Sequence, residues 1–379
     1  MPKSLNYKSI FHTYASILVL ALAAVTIGYL FWDLMLPRMD FYNELWGPAY
    51  MLVHGQSPYD TSSLNPELPA AWFPMVIGFF FPLGWLPETL ALQVWYVFTI
   101  LEICLIVYIS QGEKRDLFNT MALALICFFF PVTLNHLNLG QLSLTITLSW
   151  IFAAYFLEKE KHWLAALCIA LAMSKPHLGF LAMLGLSYRA YSRGGFRMVF
   201  LFLMRIFVMC LILCIPLFIA DPNWIPDAII SMRENPRWLY PSLYILFERS
   251  FGAWGHVLWG ITTLVVTGAT LWLWKKLPTK DAIYWSLALV LLVTPYVGSW
   301  DFVVLFPLLI WTYVNVSWQR KIFLWGAYCV AWFGMARVQM LASSHNHFFW
   351  WVPGWFIGAM FLARNWKLKA EKNKPRLNF

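Results

Sequence analysis

ETLALQVWYVFTILEICLIVYI, residues 88–109, is an apolar run long enough to cross a bilayer, for which a helix needs about 20 mostly apolar residues. Similar runs occur near 16–36, 118–134, 141–157, 199–220, 254–274, 282–298, 301–317, 322–342 and 348–363. The 379-residue chain is 61% hydrophobic and only 12% charged, with 23 Trp and 31 Phe, far too apolar to cover a water-soluble surface. The expected fold class is an all-α polytopic membrane protein, a multi-helix transmembrane bundle of about 10–13 membrane segments that include re-entrant or short helices.

Charge position orients such a bundle. Most of the 27 Lys and Arg fall at Lys3/Lys8, Lys114/Arg115, Lys159/Lys161, Arg189/Arg193/Arg197, Lys275/Lys276/Lys280, Arg320/Lys321 and a tail from Arg364 to Arg376. The positive-inside rule makes these clusters cytoplasmic, along with both termini, so the net charge of +9 does not point to nucleic acid. Lys3 and Lys8 precede SILVLALAA as in a secretory signal. The apolar run continues to about Leu36, however, which is span length and favours a signal anchor. Residues 1–365 then read as a single transmembrane domain and 366–379 as a basic cytoplasmic tail. The six cysteines lie in apolar runs without CxxC spacing and read as packing residues.

Two stretches do not fit simple crossings. AWFPMVIGFFFPLGWLP, residues 71–87, is short and broken by Pro74, Pro82 and Pro87, and reads as re-entrant or surface-lying. Residues 163–188 begin and end beside cytoplasmic charge but are too few to cross twice. A hairpin of short helices meeting at SKPHLG places Lys175 and His177 at membrane depth or near the outer face, where irregular backbone must be buried in protein or line a polar cavity. The outer segments are then the first loop (37–70), NHLNLGQ (135–141), a large loop (221–253), GSWD (298–301) and SSHNH (343–347). One face is basic and plain; the other holds acids, histidines and amides.

In the first loop, RMDFYNELWGPAYMLVHGQSPYD (38–60), Phe41, Leu45, Ala49 and Leu52 recur at helical spacing and predict an amphipathic helix on the outer surface. Asp40 either caps that helix or is a functional acid, and Glu44 follows it on the same segment. Pro48 is expected to break or kink the helix after Gly47, and HGQSPYD reads as its exit turn. Asn138 and Gln141 either cap helix ends or contact sugar hydroxyls. Lys175, a charge at membrane depth, is a functional candidate unless it snorkels to the interface or pairs with an acid such as Asp301. Arg249 neighbours Glu248, with which a local ion pair is expected. His345 and His347 form an HxH pair without a third ligand nearby, so no metal is assigned.

The absent motifs narrow the chemistry. No P-loop and no GxGxxG before a helix is present, which removes support for ATP-driven transport, and no DxD pair is there to hold a metal-bound nucleotide sugar. A transporter or flippase of a lipid-linked or anionic substrate, with Lys175 and Asp301 as intramembrane sites, competes with a membrane enzyme. A non-catalytic assembly factor is a third reading.

An outer-loop Asp-Phe after the first span, a stretch ending GxxPYD, FPMVIGFFFPLGWLP, LNLGQLSLTITLSWIFAAYFL, AMSKPHLGFLAML, PSLYILFERSFG and TPYVGSWDFVVLFPLL resemble, in order, glycosyltransferase family 87. The resemblance runs from about residue 30 to 320. It implies a GT-C-like architecture and a polyprenyl-phosphate sugar donor, with mannose the sugar first expected and an envelope lipid or glycan the acceptor. It also implies inversion at the anomeric carbon on the outer face of the plasma (inner) membrane, without a cofactor. Asp40 would be the general base, Lys175 and Arg249 would face the donor phosphate, and Glu44, Asn138, Gln141, His177 and Asp301 would line the substrate site. Trp46, Pro48 and the SSHNH loop depart from the family pattern.

Overall fold

The computed structural model describes residues 40–60, 72–234, 239–341 and 346–364. The expected first span, the start of the first loop, His345 and the basic tail lie outside the described residues. Within them every regular element is helical. In chain order the α-helices are α1 (Gly47–Val53), α2 (Pro74–Phe80), α3 (Glu88–Ser110), α4 (Leu117–Phe128), α5 (Pro131–Leu139), α6 (Ser143–Glu158), α7 (His162–Ala172) and α8 (Phe180–Leu213). They continue as α9 (Ile215–Ala220), α10 (Trp224–Glu234), α11 (Leu243–Phe251), α12 (Ala253–Lys276), α13 (Thr279–Val290), α14 (Phe306–Asn315), α15 (Trp318–Leu341) and α16 (Trp351–Ala363).

Three of these, α3, α8 and α12, have the length and composition of complete spans; α4 and α5 make a fourth candidate, bent by 70° at their junction. The bend has a local cause. Pro131 opens α5 at a position where its missing N–H costs nothing, and Phe130 before it is extended (ψ 135°), so helical geometry stops and restarts. Shorter apolar helices, Pro74–Trp85, α6, α7 and Ser299–Asn315, pack among the spans. Their broken ends are tolerable in lipid because neighbouring helices cover them. The large outer segment expected at 221–253 contains helices among its described residues. It carries α10 and α11, the latter capped by Ser242, whose hydroxyl accepts from the Ile245 N–H at 3.2 Å.

The hairpin at SKPHLG is present. α7 runs up to Ala172, a 3-10 turn Pro176–Leu178 reverses the chain, and α8 descends to Gly194 and Gly195, which leave helical geometry (φ/ψ −155/25 and 62/−157). At 1.5 Å per residue the two arms are about 16 and 20 Å long, too short for a hydrocarbon layer of about 30 Å. Only beyond the glycines does α8 continue as a span.

The first loop is helical as its spacing predicts, and it is packed more deeply than a surface helix. Phe41, Leu45 and Ala49 are fully buried, and so is Asn43. On its other side Tyr42, Trp46, Tyr50 and His54 stack at four-residue intervals, with ring centroids 5.4, 5.0 and 4.1 Å apart. Pro48 does not break this element. It lacks the N–H that would close the preceding turn, and residues Phe41–Trp46 widen into a π-helix, with the Gly47 N–H bonding to Tyr42 O. His54 and Gly55 (φ 70°) end α1 as the exit turn.

Basic side chains of the described clusters gather at one end of the bundle. Lys114 donates to Val314 O (3.0 Å), Lys280 to Ile109 O (3.3 Å) and Arg320 to Ala363 O (3.0 Å), while Arg364 faces Asp281 at 3.5 Å. Arg189 ties α8 to the end of α12 by donating to Trp274 O, Leu277 O and Thr279 Oγ1 at 2.5–2.7 Å, and it stands over the Trp274 ring. A planar five-donor fork can reach these three acceptors together; an ammonium cannot match that geometry. Arg189→Lys is therefore expected to lower the stability of the purified protein by about 1–3 kcal/mol, read as a fall in thermal unfolding midpoint, with no change in a site more than half a bundle away.

Candidate active site

The opposite end of the bundle collects side chains from four separate segments. Asp40 lies at the start of the π-helix, Gln141 and Ser143 at the junction of α5 and α6, Lys175 at the tip of the hairpin and Asp301 in the 3-10 turn Ser299–Leu305. α6 joins the two ends: Ser143 is at its start, and its last turn reaches Glu158 beside Lys280, about 24 Å away at helical rise.

Lys175 is only 5% exposed. Its ammonium donates to Asp301 Oδ1 at 3.1 Å, to Ser143 Oγ at 3.2 Å and to Gln141 Oε1. All three of its protons are thus engaged, and the Trp72 ring lies 5.2 Å away on another side. Of the roles open to it from sequence, pairing with Asp301 is the one observed. Asp301 is 2% exposed and is itself held on several sides. Its Oδ1 also accepts from Ser143 Oγ, its Oδ2 accepts from the Gly298 N–H (2.9 Å), and His177 Nε2 stands 3.8 Å from that same Oδ2. Asp301 therefore caps its own turn and balances the buried cation at the same time.

Gln141 carries the arrangement to Asp40. With its Oε1 against the ammonium, its Nε2 donates to Asp40 Oδ2, and this amide orientation is fixed because a cation needs the oxygen and a carboxylate needs the NH2. Asp40 makes no capping bond to the helix it precedes. The capping reading of Asp40 is set aside: its backbone is already in the α region (φ −78°, ψ −32°), whereas a capping residue adopts extended angles. Asp40 keeps some surface exposure as a residue, but its carboxyl sits among protein atoms. It lies outside all candidate spans. Burial pushes its carboxyl up to about 7, Lys175 opposes that shift, and the Asp301 charge adds to it. The Lys175 charge is largely spent on Asp301, so Asp40 is left with a neutral amide.

The backbone contact that sets Asp40 beside Gln141 is tight. Gly140 ends α5 in the left-handed region (φ 71°), and a Cβ there would lie 2.4 Å from Phe41 Cβ. Phe41 is in turn stacked near Trp95 at 6.4 Å.

The remaining expected residues are placed as follows. His177 stacks on Tyr296 at 4.6 Å, and Tyr240 lies 6.1 Å beyond that ring. Asn138 lies one turn before Gln141, with Oδ1 buried and unbonded within the protein. Glu44 is half-buried on the π-helix. Arg249 is exposed on the last turn of α11 and is not hydrogen-bonded into the cluster; no ion pair with Glu248 forms. Sequence reading missed Ser143, His136, Trp72 and Tyr296. His136 is buried, with Nδ1 3.4 Å from Trp300 O and Nε2 unbonded. Ser143 and Tyr296 do lie inside two of the quoted motifs, LGQLS and TPYVGSWD. Among the described residues no three His, Cys, Asp or Glu side chains converge as a metal site requires, and all six cysteines are free thiols.

A model of glycosyltransferase family 87 matches residues 74–299, more than half of the chain. The chain belongs to glycosyltransferase family 87. No curated protein matches it. The matched stretch carries Asn138, Gln141, Ser143, Lys175, His177 and Arg249, and it ends just short of Asp301. This family-87 glycosyltransferase is a membrane enzyme whose polar cluster sits at the end of the bundle away from its basic clusters.

The Lys175–Asp301 pair makes a specific prediction. Lys175→Met or Asp301→Asn alone leaves one charge buried without its partner and is expected to destabilise by about 3–5 kcal/mol. The double variant is expected to recover most of that loss, which thermal unfolding of all three proteins against wild type would read as strong coupling. Gly140→Ala is expected to cost at least about 2 kcal/mol, since it adds left-handed strain to a clash with Phe41.

Proposed function

We propose that this enzyme transfers a sugar, mannose in the first instance, from a polyprenyl-phosphate donor to a hydroxyl of an envelope lipid or glycan, on the non-cytoplasmic side of the plasma membrane. The observation that carries this reading is the Asp40–Gln141–Lys175–Asp301 chain, which holds an uncompensated carboxyl and a buried ammonium on the two ends of one amide. Gathering of the basic clusters at the other end of the bundle supports an outer-face site through the positive-inside rule.

In the reaction the acceptor oxygen attacks the anomeric carbon from the face opposite the phosphate, and the bond between that carbon and the phosphate oxygen breaks, with inversion. Asp40 takes the acceptor proton on Oδ1, since Oδ2 is held by Gln141. The leaving polyprenyl phosphate gains negative charge, and Lys175 is the cation buried nearest to Asp40. Its bond to Ser143, the longest of its three, is the one a phosphate oxygen would replace. His177 stands beside the same carboxylate and Arg249 offers a second cation to the phosphate. Asn138 Oδ1 and His136 Nε2, both unbonded within the protein, suit sugar hydroxyls, with Glu44 as an acceptor contact.

Purified protein incubated with polyprenyl-phosphate-mannose and membrane lipid extract should form a glycosylated product detectable by mass spectrometry. Asp40→Asn should slow transfer by about 100-fold or more while retaining the wild-type thermal midpoint. Equal transfer by the variant would remove Asp40 as base; no transfer from any polyprenyl-phosphate sugar would remove the donor class. The base works only when ionised, so kcat/KM should rise with pH and level off above about 7, following the raised Asp40 carboxyl. A profile flat from pH 5 to 8 would contradict its role.

A further inference from the structure

Beyond Gly195, α8 is the least covered of the three complete spans: 11% of its most apolar stretch is buried, against 44% for α3 and 22% for α12. Phe200, Leu203, Met204, Phe207 and Leu211 are exposed along it, as suits a helix that faces lipid chains. Arg205 interrupts this apolar surface eight residues past Arg197, about 12 Å at helical rise. A charge at that depth is costly unless it finds a partner or reaches an interface. Arg205 is half-buried, and among the described residues no acid and no hydrogen-bond acceptor pairs with it. Its guanidinium lies instead over the Trp163 ring, 6.0 Å from the centroid.

That ring fixes the level of the charge. Trp163 is in the first turn of α7, two residues after Lys161, and so belongs to the basic end of the bundle. Side chains on a helix lean back toward its N-terminus, so the Arg205 stem runs along α8 toward Arg197 and carries the guanidinium to the boundary between hydrocarbon and headgroups. Arg197, Leu201 and Arg205 recur at four-residue intervals and share one strip of the helix. Arg197 is exposed, and no acid among the described residues neutralises it. Trp163 and Leu164 are exposed on the α7 side of the strip, and Leu201 and Met204 on α8 itself. Two unneutralised guanidinium groups are thus set against continuous apolar surface. Water would solvate the charges and leave that surface bare. An occupant that satisfies both carries an anionic head on an apolar chain. The flat guanidinium fork matches two oxygens of one phosphate, and basic pockets between spans hold lipid headgroups by this pairing.

We infer that Arg205, with Trp163 behind it and Arg197 further along the same strip, binds the phosphate of an anionic phospholipid in the leaflet at the basic end of the bundle. The acyl chains then lie along Met204 and Phe207. This site is at the opposite end of the bundle from Asp40 and does not depend on which donor or acceptor the enzyme uses.

The test places the purified full-length protein in nanodiscs of equal parts phosphatidylglycerol and phosphatidylethanolamine and reads the retained lipid by native mass spectrometry. Wild type is expected to retain phosphatidylglycerol over phosphatidylethanolamine by about tenfold. Arg205→Gln should remove that preference, and Arg205→Lys should keep only part of it, since an ammonium lacks the fork. Trp163→Leu, which keeps every charge but takes away the ring, should weaken it as well. Lys275→Gln, which removes an exposed charge from the end of α12, should leave the preference as in wild type. Equal retention of the two lipids by wild type, or an unchanged preference in Arg205→Gln, would overturn the assignment. An equal loss in Lys275→Gln would overturn it too, because net charge alone would then explain the retention. Displacement of the lipid by the same excess of inorganic phosphate would show that the apolar strip contributes nothing and would likewise overturn it.

Discussion

A single buried ion pair, Lys175 with Asp301, organises the polar end of this bundle. An ammonium in a low-dielectric interior is tolerable only with its charge matched and its protons bonded, and here a carboxylate, a hydroxyl and an amide oxygen meet all three protons. That requirement draws together the hairpin tip, the α5–α6 junction and the Ser299–Leu305 turn. It also fixes the orientation of Gln141 and so presents an N–H2 to Asp40. The position of the proposed base is thus a consequence of how a distant cation is neutralised.

The same pairing separates the roles of two carboxyls. Asp301, in contact with the cation, a hydroxyl and a backbone N–H, is stabilised as an anion. Asp40, one amide further away, is buried without a direct counter-charge and is held near the range where a carboxyl can exchange protons at neutral pH. Two acids in one cluster are thus set in different electrostatic surroundings.

The helical class and the broken hairpin could be read from sequence because both follow from length: too many apolar residues for water, and too few between 163 and 188 for two crossings. Lys175 and its partnership with Asp301 were legible for a similar reason, since a charge at depth must find an acid. Other features depend on packing that no local pattern encodes. Pro48 reads as a break, yet the turn before it widens into a π-helix because the surrounding aromatics and α2 hold the segment in place. Asp40 has the position of a helix cap, but its backbone is already helical and its side chain turns to a residue 101 positions away. Ser143 and His136 lie inside quoted stretches, but nothing in either stretch singles them out from the polar residues beside them. Their part in the site depends on the approach of Gly140 to Phe41 and of α5 to the Ser299–Leu305 turn.

The separation of Lys175 and Asp301 along the chain also constrains assembly. During synthesis the hairpin is complete long before residue 301 exists, and an unpaired ammonium cannot rest in the place it finally occupies. The hairpin tip must remain in water or among lipid headgroups while the next helices enter the bilayer, and it can settle inward only when Asp301 arrives. Completion of the polar cluster is therefore coupled to insertion of the part of the chain that carries Asp301, and a product truncated before it lacks a formed cluster even though most of its residues have already been made.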